Sequence, residues 1–123
     1  MQSSTRSKRR RIGEKIPVDG GTLDVAYRIE YDPETQEHLA VLSARDVSTV
    51  LDTVLRQLVD QPSFGTRNRK KMRPNPVAPW ELRIGRLRVY YDVQETPEPI
   101  VTIRAIGVKD RNRVRIGGQE IEL

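Results

Sequence analysis

Trp80-Glu81-Leu82-Arg83-Ile84-Gly85-Arg86-Leu87-Arg88-Val89-Tyr90-Tyr91-Asp92-Val93 is the stretch whose reading decides the fold. Both flanks alternate apolar and polar residues, the period of a half-buried strand. Between them stands Gly85-Arg86, and a Gly-X pair is the signature of a type II′ hairpin turn. Counting outward from that turn pairs Ile84 with Leu87, Leu82 with Val89 and Trp80 with Tyr91 on one apolar face. The other face then carries Arg83 opposite Arg88 and Glu81 opposite Tyr90. Like charges directly opposite on a sheet repel. Either both guanidinium groups splay into water or an anion sits between them, and the many basic residues near the hairpin favour the anion.

The neighbouring segments extend this unit. Residues 100–108 are almost wholly apolar apart from Thr102 and Arg104, which suits a central strand buried on both faces. Residues 25–31 alternate with Val25, Tyr27, Ile29 and Tyr31 on one side, and read as the first strand. Asp32-Pro33 then supplies a helix N-cap and first position for a short helix to about Ser43. Ser43 or Asp46 caps a second helix. In it Val47, Val50, Leu51, Val54, Leu55 and Leu58 recur at helical spacing and are expected to face the sheet. Gln61-Pro62 stops this helix. Residues 63–79 read as a basic loop carrying Pro74, Pro76 and Pro79, either solvated or lying beside the hairpin. A polar connection over residues 94–99 precedes the apolar strand, and the chain ends in a turn at Gly117-Gly118 with room for one more strand. The expected architecture is α+β, in the order β-α-α-β-β-β, with a helical hairpin packed on a mostly antiparallel sheet.

Composition narrows the chemistry. The chain has 123 residues and a formal net charge of +5, enough for one domain with a modest core. Residues 1–13 hold five basic side chains and no acid, and are expected to form a disordered basic arm before a single domain over residues 14–123. Residues 13–65 hold four basic and ten acidic side chains, whereas residues 66–115 hold thirteen basic and five acidic. The basic back half points to a polyanionic partner. Cysteine is absent and histidine occurs once, which excludes disulfides, thiolate sites and multi-histidine metal centres. His38 reads as an ordinary surface or partly buried residue. No apolar run approaches the roughly 20 residues of a membrane span, and a cytoplasmic location is expected, with no membrane partner.

The chemistry on offer is therefore a set of arginines and lysines. Such a set can hold a phosphodiester by paired contacts. It can also stabilise the charge that builds when a ribose 2′-hydroxyl attacks the neighbouring phosphate. Arginine stays protonated and cannot be the base; a lysine among cations can, and Lys109 is placed among arginines. Glu81 is the only carboxylate on the hairpin's polar face. No phosphate-binding glycine loop and no metal-ligand spacing is present, so no cofactor is expected.

Three segments, Trp80-Glu81-Leu82-Arg83-Ile84-Gly85, Leu87-Arg88-Val89-Tyr90-Tyr91 and Ala105-Ile106-Gly107-Val108-Lys109-Asp110-Arg111, follow a strand and two helices in an order that resembles the RelE/ParE toxins of type II toxin–antitoxin systems. The likeness covers about residues 27–116. It implies a toxin neutralised by a small antitoxin. In the RelE branch it implies a metal-free endoribonuclease that cuts mRNA on the ribosome and inhibits translation. In the ParE branch it implies an inhibitor of DNA gyrase, and a non-catalytic nucleic-acid or antitoxin-binding module is the related alternative. By the same resemblance Arg83, Arg88, Lys109 and Arg111 are the candidate catalytic residues. Arg67, Arg69, Lys70, Lys71, Arg73 and Arg115 are the candidate RNA contacts. Arg115 stands where RelE-like nucleases commonly carry a tyrosine.

Overall fold

The computed structural model describes residues 26–122. The basic arm, the boundary after residue 13 and Val25 lie outside the described residues. Among the described residues, seven strands and two helices make an α+β unit: β1 (Arg28–Tyr31), α1 (Thr35–Ala40), α2 (Ala44–Leu58), β2 (Arg69–Lys71), β3 (Trp80–Ile84), β4 (Leu87–Gln94), β5 (Ile100–Asp110), β6 (Arg113–Ile116) and β7 (Gln119–Ile121). The sheet runs β2-β3-β4-β5-β6-β7, and β1 joins the first half of β5. The β1–β5 pair is parallel and every other pair antiparallel.

The hairpin register is the one the turn dictates. Ile84 faces Leu87, Leu82 faces Val89, Trp80 faces Tyr91, and Arg83 faces Arg88. Gly85 sits at φ +59°, the conformation that the first central residue of a type II′ turn requires and that glycine adopts without strain. The apolar face of this hairpin packs with Val50, Val54 and Leu58 of α2 and with Val101, Ile103 and Ile106 of β5. Trp80 and Tyr91 stack with ring centroids 6.1 Å apart. Tyr27, Ile29 and Tyr31 pack against the same core, as the alternation of the first strand implied.

In β5 a bulge alters the phase. Tyr90 faces Ala105 and Tyr91 faces Ile103, so Arg104 is the extra residue. A bulge moves every later side chain to the other face relative to plain alternation. Ile103 and Ile106 therefore both reach the helix side, while Ala105 joins Tyr90, Ala78 and Ile116 in a small second core on the far side. Gly107 follows from close packing: a Cβ there would stand 2.6 Å from the Arg115 carbonyl oxygen on β6. Between its β1 half and its β6 half, β5 has an open edge, which α1 closes. Asp32 N–H donates to the Ile103 carbonyl, and Ile106 N–H donates to His38 Nδ1 at 3.3 Å. His38 thus completes the sheet, because a buried backbone donor left unpaired is costly.

Four expectations change. Asp32 does not cap α1; its carboxylate holds Arg104, and the helix begins later, after Glu34, with Thr35 Oγ1 bonding the Asp32 carbonyl. The basic loop contains a strand, β2, which lies beside the hairpin as an edge. Beyond β5 the chain adds two strands where room for one was expected: β7 follows the Gly117-Gly118 turn, and β6 lies before it, so the order is longer than β-α-α-β-β-β. Leu51 and Leu55 are 37% and 57% exposed, because α2 meets the sheet along the narrower line of Val50, Val54 and Leu58. Ser43 caps α2, accepting from Asp46 N–H at 3.1 Å.

Candidate functional site

The polar face of the β3–β4 hairpin gathers the chemistry. In antiparallel pairs, directly opposed residues share a face. Lys70 faces Glu81, Glu81 faces Tyr90, and Arg83 faces Arg88. These five side chains therefore lie on one side of three adjacent strands. Lys109, opposite Val114 on β5–β6 and two residues beyond Gly107, which faces Arg88, extends that side toward the turn.

Glu81 is the centre. Its Oε1 accepts from Arg83 Nε at 2.9 Å, and its Oε2 lies 4.0 Å from Arg88 Nε. Within the protein, the like charges are offset by a carboxylate two residues from Arg83 on the same strand. Side chains i and i+2 of a strand share a face, so this arrangement needs no long-range accident. Burial grades the cluster: the Arg83 side chain is 39% exposed, Arg88 11% and Glu81 10%. Arg88 also turns inward, with Nη1 donating to the Gly85 carbonyl at 2.6 Å and to the Leu87 carbonyl at 2.9 Å. It braces its own turn.

Tyr90 is fully buried. Its hydroxyl has no hydrogen-bond partner within good geometry, and neither does Arg88 Nε. Burial first, and then the nearby Glu81 carboxylate, push the Tyr90 phenol up from its ordinary value. It therefore remains an O–H donor near neutral pH. Neither Glu81 nor Tyr90 stands out in sequence as a site residue. The signal that could have found them is register: both fall on the face of Arg83 and Arg88, and Glu81 is the acid nearest the two arginines.

The other candidates scatter. Arg69 points to the helix side and donates through Nη1 to the carbonyls of Gln57 at 2.8 Å and Gln61 at 3.1 Å. It closes the C-terminus of α2, where carbonyls lack partners and a cation is favoured. Arg67, Lys70, Lys71 and Arg73 are exposed on β2 and its flanks. Arg111 occupies the β5–β6 turn, and Arg115 faces Val108 on β6, so neither is in the Glu81 cluster. Arg86, at the hairpin turn, pairs with Asp46 at 2.9 Å and ties the turn to α2.

Beside the cluster lies a groove of about 810 Å³ under the proline-bearing loop, floored by Ala105, Ile116 and Ile121. At its rim Arg104 bridges Asp32 at 3.2 Å and Asp92 at 3.4 Å. Among the described residues no group of three or more His, Cys, Asp or Glu side chains is placed to hold a metal ion, and no helix is long and apolar enough to cross a membrane. No family model matches the sequence, and no curated protein matches it.

Proposed function

We propose that this chain is a RelE-like toxin of a type II toxin–antitoxin system, a metal-free endoribonuclease acting on mRNA at the ribosome. The observation that supports this reading is the nearly buried carboxylate of Glu81, set between Arg83 and Arg88 on the polar face of a basic hairpin. In such a reaction the 2′-hydroxyl loses a proton as its oxygen attacks phosphorus. The 5′-oxygen leaves and takes a proton from solvent water, and a 2′,3′-cyclic phosphate remains. Arginine cannot take the first proton; Glu81 can. Arg83, the most exposed member, is the group a phosphate meets first, and its guanidinium offsets the charge that develops on the phosphoryl oxygens. Arg88 lies behind it and fixes the turn. The partner under this reading is a small antitoxin that covers the basic face.

Expression of the chain should arrest growth and leave mRNA cut, and cleavage by purified protein should persist with a chelator present. Glu81→Gln keeps the shape of the side chain but removes the base, and should slow cleavage by about 10²–10⁴-fold. Cleavage at the wild-type rate by Glu81→Gln would remove the assigned base. A second reading, a non-catalytic ParE-like inhibitor of DNA gyrase, is favoured by the inward bonding of Arg88 to Gly85 and Leu87. Growth arrest with DNA damage and intact mRNA would select it.

A further inference from the structure

Three two-residue turns join the last five strands except β4 to β5. Gly85-Arg86 joins β3 to β4, Arg111-Asn112 joins β5 to β6, and Gly117-Gly118 joins β6 to β7. In each, the first central residue has positive φ: +59° at Gly85, +60° at Arg111 and +62° at Gly117. Two turns use glycine, for which this conformation is free of strain. The third uses arginine, whose Cβ makes the same conformation unfavourable. Asn112, a residue that tolerates positive φ, stands in the next position instead. Folding alone would place glycine or asparagine at 111, and a strained residue held at an exposed tip marks a position kept for something else.

The surroundings say what for. The ribbon over residues 109–115 carries Lys109, Arg111, Arg113 and Arg115 against one acid, Asp110. Arg113 is engaged with Glu120 at 3.4 Å. Arg111 is exposed and has no ion-pair partner among the described residues. Lys109 N–H donates to the Arg86 carbonyl at 2.7 Å, the last backbone bond between the ribbon and the β3–β4 hairpin, so the tip overhangs the sheet. Arg111 lies four residues beyond Gly107, which faces Arg88; at about 3.3 Å per residue this is roughly 13 Å along the strand.

We infer that this overhanging tip is a second phosphate contact, made by Arg111, on an RNA strand that also meets Arg83. The inference rests on the RNA reading above, and it adds a contact that is separate from the cleavage cluster. The test is the salt dependence of binding of a single-stranded RNA 12-mer to the full chain and to Arg111→Gly, with thermal melts of both. One lost contact to a single strand should lower the slope of log K against log salt by about 0.7, and weaken binding about fivefold near 0.1 M salt. The melting midpoint should not fall, because the strained conformation is relieved. Arg111→Lys, which keeps the charge, should hold the wild-type slope. An unchanged slope in Arg111→Gly overturns the inference while leaving RNA binding and cleavage standing. A lower midpoint in Arg111→Gly also overturns it, since the arginine is then structural. A reduced slope without any cleavage by the wild type keeps the contact and removes the nuclease, and no RNA binding by the wild type removes both.

Discussion

Replacing Arg88 by alanine tests the electrostatics of the hairpin most directly. Arg88 makes two charge-assisted hydrogen bonds to the carbonyls of Gly85 and Leu87, at 2.6 and 2.9 Å. Hydrogen bonds to charged groups contribute about 1.5–3 kcal/mol each. Its loss also leaves Glu81, only 8% exposed, with Arg83 as its remaining cation. Breaking a buried pair costs about 3–5 kcal/mol, an upper bound here because Arg88 Nε and Glu81 Oε2 are 4.0 Å apart and Arg83 stays. A loss of about 2–4 kcal/mol follows, and at about 4 °C per kcal/mol a domain of this size should melt roughly 8–16 °C lower. Thermal unfolding followed by circular dichroism reads this directly. A cycle of Arg88→Met, Glu81→Gln and the double variant should show a coupling of about 1 kcal/mol or more. A midpoint equal to or above wild type would refute the reasoning. That is the result expected if the two arginines only repelled each other, as the sequence with an external anion implies.

Two further outcomes are expected. Leu58→Ala, at a fully buried position of α2, should cost about 2–5 kcal/mol. Leu55→Ala, 57% exposed, should stay within about 0.5 kcal/mol of wild type; equal losses in denaturant titrations would mean α2 is rotated from the position described. The Tyr27 phenol is pushed up to about 12 by burial and then by its hydrogen bond to Glu95. The fold therefore favours its neutral form, and that stabilisation is complete below pH 10 and is lost as pH rises from there through about 12. Tyr27→Phe should flatten this part of the alkaline melting profile, and curves that superimpose on wild type would show that Tyr27 is not held.

Local chemistry made the hairpin legible. A two-residue Gly-X turn fixes which residues oppose one another, and the apolar alternation around it admits one facing, so Arg83 opposite Arg88 and Glu81 opposite Tyr90 follow from residues 80–93 alone. Ser43 as one of two candidate caps for α2 and the burial of Val50, Val54 and Leu58 follow the same way, from interactions spanning a few residues. What the chain could not disclose lies in contacts between distant segments. Arg69 looks like any basic loop residue until β2 sets it against the open carbonyls of α2. Leu51 and Leu55 belong to the helical stripe, yet only the width of the helix–sheet contact decides that they stay outside. The extra residue at Arg104 is invisible in an apolar run, because a bulge is defined by the partner strand, and it determines which β5 side chains reach each core. Glu81 reads as an acid on a basic face; burial against β2 and β4 makes it the counter-ion of both arginines. The strain at Arg111 appears only when β5 and β6 pair, since a residue's φ is set by the turn that its neighbours close.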